Sequence, residues 1–424
     1  MNSELDLFST RGYQAELFGA EYKTIRPHAT LKDSGPLQFM MTDSREYYDL
    51  SETVLCLKAK ITGADGGVIP TTQGKDDVAL VNNAMHSIFS DVQVLLNGKP
   101  VEGVPDGFYP YRAYIHNLLT YTKDAQQHQL FAQGWVRDDD AAMDTATNNG
   151  FITRKAWNVV GAEKTFYGKL LSGVFQQNRL LVPGTDFGLI LHRAQDSFAI
   201  LNTNNLIKPK VVITYANLQM LSVKVKPAIL QQQATALVRG MPAIYEFNKV
   251  DFSNIACAAN ETNVEKDKLF NMRVPKYLVM FMVPNSAFHG DYTKNPFNFK
   301  HYNMKSLQLT RDDENVPFER FEPDFQTGDV LREYMSQYQS NGLLGKNAIL
   351  PITYDEFKNG YTIFQWNLSD NRRGVNAGPY QHGNLEVTVA FAEPLPEAMV
   401  MVFYGIFEST VEVFGNDHVI VDGV

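Results

Sequence analysis

Three carboxylates in a row, Asp138-Asp139-Asp140, are the ligand type that a hard cation such as calcium takes. A solvated loop accounts for them equally well. His301 and His382 stand beside aromatic residues and could serve as ligands or acid–base groups, although a loop histidine making ordinary hydrogen bonds is the commoner case. Asp355-Glu356 and Glu393 could supply the two acids of glycoside hydrolysis, but a chain with 47 acidic residues offers many such pairs. The least generic stretch is Asn295-Pro296-Phe297-Asn298-Phe299-Lys300-His301-Tyr302-Asn303. There Phe297, Phe299 and Tyr302 could form a stacking platform for a sugar or a base. They could equally anchor the loop into a core or against a neighbouring subunit, and in an acidic, β-rich chain packing is the favoured reading.

No stronger catalytic signal accompanies these residues. The sequence contains no His-Glu-x-x-His, Cys-x-x-Cys, Walker loop, Gly-x-Ser-x-Gly or Gly-x-Gly-x-x-Gly, the spacings that carry metal, nucleotide and acyl-transfer chemistry. The expectation is therefore no catalytic residue, no cofactor and no structural metal. A net charge of −9 argues against gripping nucleic acid by its phosphates, which takes clustered Lys and Arg. Cys56 and Cys257, the two cysteines, read as buried thiols of a reducing, cytosol-like compartment. The opening residues lack the basic and apolar regions of a signal peptide.

The elements that position these residues are mostly strands. Val92–Leu96 alternates and turns on Asn97-Gly98, a pair that tolerates positive φ. Lys99-Pro100-Val101 returns, with Pro100 confining it to a sheet edge. Tyr109-Pro110 then opens a helix whose Tyr111, Tyr114, Ile115, Leu118 and Leu119 fall on one stripe. The same layout comes back at Ser306–Thr310, the polar turn Asp312–Asn315, Val316-Pro317, and a helix with Asp329 as N-cap and Leu331, Tyr334, Met335 and Tyr338 on one face. Two similar domains follow from this repeat, and 424 residues exceed one ordinary core. Short strands with turn signals between them suggest a β-sandwich or jelly roll. The predicted layout is an extended arm over 1–35, a first domain over 36–222, a linker helix within 223–240 and a second domain over 241–424.

Several stretches together resemble the double jelly-roll major capsid protein, or hexon, of polinton- and adintovirus-type DNA viruses. They are Leu95-Leu96-Asn97-Gly98, Tyr109–Tyr114, Phe175–Arg179, Asn295–Asn303, Pro323-Asp324-Phe325, Asn359–Thr362 and Phe391–Pro396. They span roughly residues 37 to 413. The resemblance implies an all-β chain of two tandem eight-stranded jelly rolls with short flanking helices. It further implies a non-enzymatic homotrimer that forms a pseudo-hexagonal capsomer of an icosahedral virion, made in the host cytoplasm or nucleus. Neighbouring capsomers and penton or minor capsid proteins would be its partners, with genome contacts indirect, through an inner membrane or other proteins. Phe297, Phe299, Tyr302, Asn97, Gly98, Tyr111, Tyr114 and Tyr334 are the candidate structural or interface residues. The alternatives are a minor or vertex component of the same kind of particle and a tandem jelly-roll enzyme or lectin acting on glycans.

Overall fold

The computed structural model describes residues 17–421 except 29–30, 32–34, 43–44, 70–76, 104–106, 158–160, 204–206 and 370–380. The first half contributes β1 (Leu17–Ile25), β2 (Leu37–Met41), β3 (Tyr47–Thr62), β4 (Val78–Leu80), β5 (Phe89–Leu96), β6 (Lys99–Glu102), β7 (Lys164–Lys169), β8 (Phe187–Arg193), β9 (Ile200–Asn202) and β10 (Lys210–Val225). The helix Pro227–Val238 leads into the second half. That half contributes β11 (Ala243–Cys257), β12 (Asn263–Lys266), β13 (Arg273–Val274), β14 (Tyr277–Pro284), β15 (Met304–Arg311), β16 (Glu314–Phe321), β17 (Ile363–Asn367), β18 (Gln381–His382), β19 (Leu385–Phe391), β20 (Met399–Val413) and β21 (Val419–Val421).

The first half builds one sheet in the order β1-β10-β3-β7 and another in the order β2-β8-β5-β6. The second half builds β11-β20-β14-β17, with β21 added on β20, and β12-β19-β15-β16. Set aside the short pairs β4-β9 and β13-β18, and β21, and eight main strands remain in each half. Counted in chain order, one sheet then runs first–eighth–third–sixth and the other second–seventh–fourth–fifth, in both halves alike. This antiparallel connectivity is a jelly roll, and the chain holds two of them.

Local chemistry explains the repeat. Leu96 pairs with Lys99 across Asn97 and Gly98, whose φ values are 49° and 75°. Arg311 pairs with Glu314 across Asp312 and Asp313, at 48° and 67°. Both are two-residue turns with positive φ at both central positions, the type whose twist matches a hairpin. The second turn is thus tighter than the expected Asp312–Asn315, and Asn315 already lies in β16. Pro100 and Pro317 sit in β6 and β16, the outer strands of their sheets, where a missing N–H breaks no interior ladder. β14 is the apolar run Tyr277–Pro284, flanked by β20 and β17 and buried along nearly its whole length.

Three expectations need correction, and one open choice is decided. Leu17–Ile25, read as part of an arm, is the outer strand of the first roll and pairs with β10. None of its residues is fully buried, so no alternation betrays it, and the first roll begins before residue 36. The remainder of that arm, residues 1–16, lies outside the described residues. Ala79–Phe89 is partly apolar, a pattern that fits a short helix or a strand alike, and it holds both, with β4 giving way to the short helix Ala84–Ser87 before β5. The helix Leu331–Ser340 has Val330 and not Asp329 at its N-cap, and it buries Glu333 and Gln337 while Leu331 is exposed. That face packs on polar groups: Gln365 Nε2 donates to Gln337 Oε1 at 2.9 Å. Cys56 and Cys257 are both free thiols, and Cys56 is only half-buried.

The two cores interpenetrate. One buried cluster gathers the second roll's strands with Tyr111, Tyr114, Ile115, Leu118 and Trp135 from the first half. The other gathers the first roll's strands with Tyr245, Phe247, Val411, Val413, Val419 and Val421 from the second. Gly173 sits where the backbones meet, and a Cβ there would collide with the Asn248 carbonyl oxygen on β11. Gly173→Ala is expected to cost about 1–3 kcal/mol, the usual penalty for overpacking a tight contact. Urea unfolding reads this directly, and an unchanged midpoint would mean that the halves do not bear on each other there.

Candidate functional site

Four of the aromatic residues singled out in the sequence, Tyr111, Tyr114, Phe297 and Phe299, meet between the rolls. Pro110 lies in the first turn of the helix Tyr109–Thr120, where its missing N–H is no loss. The apolar stripe of this helix turns away from its own roll. Tyr114 stacks on Phe297 with ring centroids 4.0 Å apart and planes 4° from parallel. Tyr111 meets Phe297 edge-on at 5.8 Å and Phe281 at 5.5 Å. Phe299 completes the cluster against Tyr114 at 5.7 Å and Phe281 at 4.5 Å.

The Asn295–Asn303 segment holds its two rings inward through its own backbone. Phe297 N donates to Asn295 Oδ1 at 3.0 Å, Phe299 N to Gly360 O at 2.9 Å and Lys300 N to Met282 O at 3.1 Å. Phe297 and Phe299 are 0% exposed, so neither ring offers an open face to a sugar or a base. Burial of this aromatic area, with edge and stacked geometries worth up to about 1.5 kcal/mol per pair beyond area alone, is what the cluster contributes.

A polar clasp lies beside it. Asp138 is buried, and its Oδ1 accepts from Arg154 Nη2 at 2.7 Å while its Oδ2 accepts from Asn295 Nδ2 at 3.0 Å. Tyr361 Oη donates to the Asp138 carbonyl at 2.7 Å. Burial pushes the Asp138 carboxyl up, against the pull of Arg154 and Asn295. Asp144 accepts from Asn295 N at 2.7 Å and from Asn298 Nδ2 at 2.8 Å. Asp138 is thus neither a cation ligand nor a solvated loop residue. Asp139 binds the first turn of the helix Asn149–Ala156 in the same chain, accepting from Asn149 N at 2.8 Å. Residues 138–150, whose polar composition reads as a loop, contain a 3-10 turn, Asp140–Ala142, and the start of that helix.

Glu356 closes the clasp from the second roll. It accepts from Arg137 Nε and Nη2 at 3.1 and 3.0 Å and from Lys123 Nζ at 2.9 Å. Burial pushes its carboxyl up, but Arg137, the Thr353 N–H and Lys123 outweigh that and hold it below the usual range. The Arg137 guanidinium also lies 4.6 Å over the Tyr361 ring, a cation–π contact. Asp355 instead pairs with Lys358, and Glu393 accepts from Gln326. His301 stacks on Phe325 at 4.2 Å, and its Nδ1 accepts from Asn303 N. His382 is an exposed residue of β18. Among the described residues no three His, Cys, Asp or Glu stand together as a metal-binding group.

The other candidates are placed apart from this cluster. Asn97 Nδ2 donates to Asp417 O at 3.2 Å and Lys99 Nζ to Val419 O at 3.0 Å, tying the first hairpin to the β20–β21 turn. Gly98 forms the turn itself, with open space where a Cβ would be. Tyr302 is half-buried and donates to Glu397 Oε1 at 3.3 Å. Tyr334 donates to Ile352 O at 3.1 Å within the second roll. Sequence reasoning missed Arg154, Arg137, Lys123 and Trp135. A signal for Arg154 exists: Asn148 caps Phe151 N, and the i, i+3 spacing from Phe151 puts Arg154 on the same buried face.

No protein-family model matches the chain. An uncharacterized protein of Caenorhabditis elegans is 23% identical over 426 residues, covering 97% of this chain and 99% of that protein. Among solved structures, the Sputnik virophage cryo-EM structure matches with a TM-score of 0.65 at 13% identity, covering 100% of this chain and 92% of that one. The PBCV-1 virus capsid matches at 0.58 and 12%, covering 98% and 99%. The mavirus major capsid protein matches at 0.57 and 14%, covering 100% and 93%. At such identities the likeness speaks for the fold, and the fold is the double jelly roll of viral major capsid proteins. The match runs the length of the chain, so both rolls and their seam are included.

Proposed function

We propose that this chain is a structural, non-enzymatic major capsid protein that acts by self-assembly and resides in the virion shell. The observation that carries the reading is the pair of jelly rolls with identical strand order fused in one chain. Three such chains around an axis present six similar units, which is how a trimer approximates hexagonal packing. On this reading the rolls are the two domains, β1 through residue 222 and residues 241–424, with the linker helix between them, and capsomers tile an icosahedral shell. Neighbouring capsomers and penton or minor capsid proteins are the partners. Tyr111, Tyr114, Phe297 and Phe299, with Asn97 bonded across to Asp417, serve the reading by tying the two rolls together, which a rigid capsomer needs.

Light scattering on the purified protein tests this. A stable species near three times 47.8 kDa is the expected result. A monomer over a wide concentration range would sink the trimeric capsomer, and a pentamer would redirect the reading to a vertex component.

A further inference from the structure

Between the Pro227–Val238 helix and the ends of β1, β10 and β11 lies an apolar groove of about 470 Å³, lined by Leu17, Val225, Ile229, Leu237, Met241 and Tyr245 among others. The helix above it has no buried residue and no charged one in its twelve. Leu230, Val238 and Met241 at this place are exposed. A helix this short holds in water chiefly by burying one face, and depletion of charge is the mark of a covered surface.

The course of the chain says what covers it. β1 starts at Leu17, opposite Val225, and both residues line the groove. β10 ends at Val225 and turns through Lys226 into the helix, so the described chain begins at the groove, level with the end of its partner strand. The sixteen residues before Leu17 include Leu5, Leu7 and Phe8, and carry Glu4, Asp6 and Glu16 against the single Arg11. Arg179 lines the groove, and Lys226 and Arg239 bracket the helix, a cationic frame for that acidic segment. We propose that the groove is the seat of the chain's own residues 1–16, with Leu5, Leu7 and Phe8 as the apolar groups it takes. Seated there, the segment clamps the connector between the rolls.

Disulfide trapping in the full-length chain tests it, using Leu7→Cys with Ala236→Cys and, as a second pair, Ser9→Cys with Ala236→Cys. A control pairs Leu7→Cys with Leu344→Cys, at an exposed position of the second roll. Under mild oxidation at least one groove pair should give roughly tenfold more intrachain cross-link than the control, because docking raises the local concentration. Peptide mass mapping separates these links from any made by Cys56 or Cys257. Intrachain yields no higher than the control overturn the proposal. Links made between chains overturn it too, and assign the groove to a neighbouring copy's segment. Neither result depends on whether the protein forms a capsomer, since the readout is the position of the link.

Discussion

Phe297→Ala should lower the stability of the protein by about 3–5 kcal/mol, the range for removing a fully buried phenylalanine. The ring touches Tyr111, Tyr114 and Phe198, and the loop that carries it is pinned on both sides by backbone hydrogen bonds. The site therefore has little freedom to collapse into the cavity. Chemical denaturation of the variant measures the loss, and a shift under about 1 kcal/mol would be too small for a core truncation. A double-mutant cycle sharpens the result. Tyr114→Ala and Phe297→Ala should be non-additive by more than about 0.5 kcal/mol, as expected of stacked partners. If they add, the stack contributes only area. Phe299→Ala should follow the same direction, and under the proposed capsomer function both single variants should reduce the yield of trimer, because a loosened seam no longer fixes the angle between the rolls.

Arg154→Met should be comparably severe, at about 3–5 kcal/mol, because it strands a buried carboxylate. Three bonds go at once: to Asp138 Oδ1, to Leu80 O and to Val136 O, at 2.7, 2.8 and 2.7 Å. Asp138 would keep only Asn295 Nδ2 as a side-chain donor. The sign of the pH dependence is set by burial, which already raises the carboxyl in the intact protein and acts unopposed by Arg154 in the variant. A carboxyl with a folded-state pKa above its unfolded value near 3.9 favours the folded state when protonated. The variant's stability should then be greatest in acid and fall as pH rises from the unfolded value through the raised one. Denaturant midpoints across pH 4 to 7, compared with the parent protein, test this. A deficit independent of pH would show that Asp138 does not carry the loss. Asp138→Asn in the Arg154→Met background should recover part of the stability, since it removes the stranded charge.

The parts of this architecture that were legible in the sequence are those with a local physical cause. Asn97-Gly98 can hardly be anything but a hairpin turn, Pro110 marks a helix start, and the near-continuous apolar run Lys276–Val283 reads as a strand buried on both sides, one residue from the observed β14. The repeat of hairpin, loop and helix announced two similar units before any sheet order was known. β1 escaped because an outer strand without a buried face leaves no alternation to detect. Leu331–Ser340 misled because its most deeply buried residues are Glu333 and Gln337, whose polar partners Glu322 N and Gln365 come from outside the helix, while Tyr334 of the apolar stripe is only partly covered. Asp138 and Arg154 were illegible for a related reason. A carboxylate in a run of three looks solvated until a partner sixteen residues on and an asparagine 157 residues on are folded against it. The aromatic segment was noticed, but its partners Tyr111 and Tyr114 could be tied to it only in three dimensions.

The exchange of core residues between the rolls also governs the order of events during synthesis. Val411, Val413, Val419 and Val421 complete the core of the half that a ribosome makes first. That half therefore keeps apolar surface uncovered until β20 and β21 have been made. A chain terminated early, even just past β19, lacks the closing strands of both units and cannot present a finished surface to another copy.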